Sequence, residues 1–218
     1  MSQALPPGER FCELGELLTA YTYTGFTFSD TAEDPGPALA SYLRIAARNP
    51  ARAATAVQQI DDLLSVGLFS EEIADEVDDL PHIRPPMGTS VEDCLRIVRD
   101  HLHRLLQEPS RLPQVNPQNS WEWNERFPEL SQLLGAYFHQ DFSHFYDSRD
   151  EALDEYVGAA TPEDRAQAVQ EFGELLTMVS SDQELETATT ALGLDLLPPQ
   201  GMTLRQWLEF VQNRVATA

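Results

Sequence analysis

Apolar residues along this chain recur mainly at steps of three and four, the spacing that lines one face of a helix. Phe127, Leu130, Leu133, Leu134, Tyr137 and Phe138 form one such stripe, and Phe11, Leu14, Leu17, Leu18 and Tyr21 form another. The pattern predicts a second short helix at 38–47 in one half and 151–159 in the other, then a longer third at 51–65 and 162–179. Thr161 before Pro162 supplies a cap and a first-turn proline. Ser70-Glu71-Glu72 and Ser181-Asp182 set acids where a fourth helix would present its positive end. Ser90 and Thr203 cap a fifth. Its apolar face is Val91, Cys94, Leu95, Val98, Leu102 and Leu105 in the first half, and Leu204, Trp207, Leu208, Val211 and Val215 in the second. Neither strict alternation nor an Asn-Gly or Asp-Gly hairpin turn occurs. The expected class is all-α, arranged as two tandem helical bundles of about five helices each.

The halves are alike in sequence as well as in pattern. FCELGELLTAYTYTGF at 11–26 and FPELSQLLGAYFHQDF at 127–142 share eight of sixteen positions, where unrelated segments would share about one. AVQQIDDLLS at 56–65 echoes AVQEFGELLT at 168–177, and Pro85-Pro86-Met87-Gly88 echoes Pro198-Pro199-Gln200-Gly201. The expected organisation is a first repeat at 9–106, a proline-containing linker at 107–124 and a second repeat at 125–218. Prolines 109, 113 and 117 mark the linker. Trp121 and Trp123 follow in the same stretch, either stapling it onto a domain or standing exposed as an anchor for a partner.

Composition narrows the function. The formal net charge is -22, and all 14 basic residues are arginine. Such a surface opposes binding to nucleic acid and to anionic membranes, and favours a basic protein partner. Residues 1–116 hold 18 acids and 9 arginines, whereas 117–218 hold 18 acids and 5 arginines. The second half is therefore the better docking candidate. Its stretch 141–155 contributes Asp141, Asp147, Asp150, Glu151, Asp154 and Glu155 against one arginine. The chain lacks an apolar run of the ~18 residues that span a bilayer. Its first residues lack a signal peptide's basic and apolar segments, so a cytoplasmic location is expected. Cys12 and Cys94 both fall in apolar helical patterns and are expected to be free, buried thiols.

With those residues in view, FPELSQLLGAYFHQDF followed by EALDEYV resembles the start of contact-dependent growth inhibition immunity proteins. The resemblance is tightest over 127–157 and extends to 215, with 11–105 as a degraded copy. It implies a small cytoplasmic protein that binds a cognate toxin, commonly a nuclease, and blocks it without a cofactor. Its His139-Gln140-Asp141 cluster is replaced in the first half by Tyr23-Thr24-Gly25. The partner-contact residues expected are thus His139 and Gln140 with the six acids of 141–155.

His139, Asp141 and His144 do not share one face of a regular helix. A metal-dependent enzyme would need the helix to end there. His101 and His103 diverge on a helix, and adjacent acids such as Asp61-Asp62 read as solvated faces. GxSxG, P-loop and dinucleotide glycine patterns are missing from the sequence. No catalytic residue and no metal ligand is therefore expected. The readings that stay open beside a toxin inhibitor are a helical scaffold, a regulator of basic DNA-handling proteins, and that metal-dependent enzyme.

Overall fold

A computed structural model describes residues 10–108 and 116–217. The chain divides into two compact units, Met1–Val115 and Asn116–Ala218. Both are helical, and among the described residues the only extended pairing is an isolated bridge between Thr27 and Arg84 in the first unit. The all-α expectation holds.

The first unit contains α1 (Cys12–Thr22), α2 (Pro37–Ala46), α3 (Pro50–Val66), α4 (Ala74–Asp78) and α5 (Val91–Gln107). Helix α3 packs along α5, and α1 lies against α2 and α3. Leu14, Leu17, Leu39, Tyr42, Ala56, Ile60, Cys94 and Val98 are each fully buried there. The stripe residues thus meet in one core. Ser90 caps α5 by accepting the Asp93 N–H, and Pro50 opens α3, where its missing N–H is not needed.

The second unit contains α6 (Ser120–Arg126), α7 (Pro128–Tyr137), α8 (Arg149–Ala159), α9 (Pro162–Met178), α10 (Asp182–Ala191) and α11 (Leu204–Thr217). From α7 onward the order of helices repeats that of the first unit. Helix α9 packs along α11, and α7 lies against α8 and α9. Phe127, Leu130, Leu133, Leu134, Phe138, Tyr156, Phe172 and Trp207 form its core. Thr161 and Ser181 each close a reciprocal capping box, with Asp164 and Glu184 as the returning acids.

Four details recur at aligned positions. Leu14 N–H donates to Gln59 Oε1 at 2.8 Å, and Leu130 N–H donates to Glu171 Oε2 at 3.0 Å. Arg10 pairs with Asp62 at 2.9 Å, and Arg126 pairs with Glu174 at 2.7 Å. Each arginine also lies over the aromatic ring that follows it, Phe11 or Phe127. Gly88 and Gly201, the aligned glycines of the Pro-Pro-x-Gly turns, both adopt positive φ (84° and 87°), a conformation that other residues resist.

Several expectations need correction. Cys12 is exposed; it is the first residue of α1 and points off the apolar stripe, while Cys94 is buried as expected. The fourth helix of the first unit begins at Ala74, because Ser70 caps only a turn by accepting the Glu72 N–H. The segment 107–124 is not a linker throughout. Gln107 ends α5 and Ser120 opens α6, and Trp121 and Trp123 are buried, with Trp123 stacked on Phe127. The exposed-anchor reading of the tryptophans therefore falls. Asn119 and Glu122 explain the helix: Asn119 accepts the Glu122 N–H, while the Glu122 carboxylate takes the Asn119 amide. Pro109 and Pro113 lie outside the described residues.

Candidate partner-binding surface

Helix α7 ends at Tyr137, and the run that follows is part core and part surface. Phe138 is fully buried, edge-on to Trp207 and stacked on Phe142. Tyr137 contacts Tyr146 and Tyr156, so the aromatics of this run knit α7, the loop and α8 together. A single 3-10 turn, Phe142–His144, follows. His139 Nδ1 accepts the Asp141 N–H at 3.1 Å, and its ring meets Phe145 edge-on. Gln140 and Asp141 are exposed.

The acids expected to meet a partner are all exposed, although several are already engaged. Glu151 accepts the Asp147 N–H at 2.8 Å and so helps to close the start of α8 behind its cap, Ser148. Asp154 pairs with Arg214 at 2.6 Å. Burial, together with the nearby Glu155 carboxylate that bonds to it, pushes the Tyr146 hydroxyl up. Asp150 sits in the first turn of α8, where negative charge is favoured.

Arginine placement sets the electrostatics. In the first unit Arg10, Arg52, Arg96 and Arg99 pair with carboxylates. In the second, Arg149, Arg165 and Arg205 point at backbone carbonyls instead: those of Leu197, Val157, and Leu176 with Val179. The second unit thus has fewer arginines and turns three of its five away from its acids.

Sequence reading missed a group at the junction of α7, α8 and α9. Glu171 is buried, and its carboxylate accepts from Leu130 N–H and from Gln167 at 2.9 Å. Burial nevertheless holds its carboxyl above the usual carboxylate range. Glu129, half-buried in the first turn of α7, is pushed up by burial and by Asp164. Tyr156 is 1% exposed, and its hydroxyl is raised by burial and by Glu129, Asp164 and Glu171. The available signal was a charge change between the halves: Gln59 aligns with Glu171, and Arg52 aligns with Asp164.

A groove of about 570 Å³ runs between α10 and the segment leading to α11. Leu194, Leu196 and Leu204 line it, with Asp182, Glu186 and Asp195 among its polar residues. His139, Asp141 and His144 do not form a ligand set. Among the described residues, no group of three or more His, Cys, Asp and Glu side chains is placed to hold a metal ion. His101 is buried with Nε2 2.7 Å from the Thr31 carbonyl oxygen, whereas His103 is exposed. Among the described residues, no helix is long and apolar enough to cross a membrane.

The second unit is thus an all-α domain whose carboxylates outnumber its arginines and are only partly countered by them. Residues 126–215, from the end of α6 into α11, match the family model of the CdiI immunity protein, so this part of the chain is similar to that family. No curated protein and no solved structure matches the chain.

Proposed function

We propose that this chain is an immunity protein that binds a cognate toxin domain and neutralises it through the acidic face of the second unit. The family match over 126–215 carries this reading. The same unit holds 18 acids against 5 arginines. The target is a basic, nucleic-acid-cleaving domain, because a nuclease needs a cationic cleft and an acidic inhibitor is drawn to one. The docking face comprises Asp141, Asp147, Asp150, Glu151, Asp154 and Glu155, with His139 and Gln140 at its edge. Inhibition is by occupancy, inside the cell, and needs no catalysis and no cofactor. The first unit is a diverged copy that acts as a structural companion. The recurring Leu14–Gln59 and Leu130–Glu171 ties support that relation.

Complementary charge acts mainly on encounter, raising association to about 10⁸–10⁹ M⁻¹s⁻¹ at low salt. Residence then depends on a few desolvated anchors. The test is co-expression with the toxic domain encoded beside this chain, followed by co-purification. Restored growth, a stable complex and association that slows with added salt are expected. Cells that still die, or a toxin that elutes alone, would remove the reading.

A further inference from the structure

The two units differ most sharply at a place where their scaffolds agree. In the first unit Arg52 Nε lies 2.8 Å from Glu13 Oε1, with its guanidinium carbon 5.9 Å from the centre of the Tyr42 ring. The Tyr42 hydroxyl donates to the same Oε1 at 2.6 Å. Glutamate, tyrosine and arginine come from α1, α2 and the first turn of α3. The aligned residues of the second unit are Glu129 on α7, Tyr156 on α8 and Asp164 on α9. Glutamate and tyrosine are retained, and a carboxylate stands where the arginine was.

The consequences are visible in the second unit. The Tyr156 hydroxyl is buried and has no hydrogen-bond partner among the described residues. Glu129 has lost the counterpart of the Arg52 pair. Asp164 is fixed in place, because its Oδ2 accepts the Thr161 N–H at 3.0 Å in the capping box. Two carboxylates and an orphaned hydroxyl thus stand at the positions aligned with the first unit's glutamate, arginine and tyrosine.

We propose that this is a guanidinium seat, in which an arginine of the partner enters between the part-exposed carboxylates of Glu129 and Asp164, beside the buried Tyr156. The partner is the toxin domain of the proposed function, so the inference rests on that reading. Arginine fits where lysine does not: its planar fork pairs with a carboxylate, and it sheds water more readily than an ammonium. Glu129 then accepts both from the incoming guanidinium and from Tyr156, as Glu13 does in the first unit. The first unit cannot act in this way because Arg52 already fills its seat. The seat supplies the desolvated anchor that a loosely charged face lacks.

Asp164→Arg in the full chain restores the first unit's arrangement and fills the seat from within. The folded variant is expected to bind the toxic domain about a hundredfold more weakly by titration calorimetry. Its thermal midpoint should not fall below that of the parent. Asp182→Arg makes the same change in net charge at the start of α10 and should only slow association. Unchanged affinity of folded Asp164→Arg, or an equal loss in Asp182→Arg, overturns the seat and leaves the immunity reading standing. Absence of binding by the parent chain overturns both. If Asp164→Arg does not fold, Glu129→Gln decides. A loss of about tenfold that is not additive with one toxin arginine changed to lysine supports the seat. Unchanged affinity, or additivity with every toxin arginine, overturns it.

Discussion

Removing one oxygen atom from each of two aligned tyrosines should shift stability in opposite directions. Tyr42 and Tyr156 are equally buried, at 0% and 1% exposure. The Tyr42 hydroxyl donates to a carboxylate, and a hydrogen bond to a charged group contributes about 1.5–3 kcal/mol. Tyr42→Phe is therefore expected to cost about 2 kcal/mol. The Tyr156 hydroxyl has no partner among the described residues, and an unpaired buried hydroxyl costs about 1–3 kcal/mol. Tyr156→Phe removes that cost and loses only the weak dispersion contacts of one atom, each about 0.1–0.2 kcal/mol. A gain of about 1 kcal/mol follows. In a domain of about 100 residues, 1 kcal/mol corresponds to a shift of roughly 4–8 °C. Scanning calorimetry of the full chain should therefore show one transition lowered by Tyr42→Phe and another raised by Tyr156→Phe. A drop of about 1 kcal/mol or more in Tyr156→Phe would mean that the hydroxyl is satisfied, and the seat would lose its orphaned group.

Other perturbations probe different parts of the molecule. Burial raises the Glu171 carboxyl, so the folded state holds that proton more tightly than the unfolded chain. Stability should then fall as pH rises from the ordinary carboxylate range through the folded value; Glu171→Gln, which copies Gln59, should flatten this slope in urea unfolding and stabilise the protein at neutral pH. A Cβ on Gly193 would lie 2.6 Å from Gly135 Cα, at a residue whose φ is +92°. Gly193→Ala should cost about 2–4 kcal/mol in the same assay. Asp141, Asp147 and Asp150 changed together to arginine should slow toxin association about tenfold in stopped-flow at low salt, with dissociation little altered. Any one of the three alone should matter little, since an exposed pair contributes about 0–1 kcal/mol.

Legibility followed the strength of the local signal. Helices set by apolar spacing and by Thr161-Pro162, Ser181 or Ser90 were readable because caps and stripes are local. Helix α6 is hidden in the sequence because prolines 109, 113 and 117 outweigh the single Asn119 cap that opens it. The acids of 141–155 stood out as a run. Glu129, Tyr156, Asp164 and Glu171 did not, because they come from three helices and meet only when α7, α8 and α9 pack. Asp30 was invisible for the same reason: it is buried, accepting from Tyr21 at 2.7 Å and Gly36 at 2.6 Å, and the sequence offers no periodicity that marks it. A position-by-position comparison of the two halves exposes what a linear reading hides, since Arg52 aligns with Asp164 and the charge there is reversed.

That reversal bears on stability as well as recognition. In the first unit Arg10, Arg52, Arg96 and Arg99 offset carboxylates within the fold. In the second, Glu129 and Glu171 are both held above their ordinary range, so part of the folding free energy opposes their charge. A bound cation would relieve that opposition, and a partner that binds only the folded state adds further stability by mass action, about 4 kcal/mol at a thousandfold excess over Kd. Binding of the toxin domain should therefore raise the transition of the second unit and leave that of the first where it was. The gain should shrink in Glu129→Gln, which has less charge to relieve. Equal shifts of both transitions would place the partner on both units, and the division of labour between a companion unit and a binding unit would be wrong.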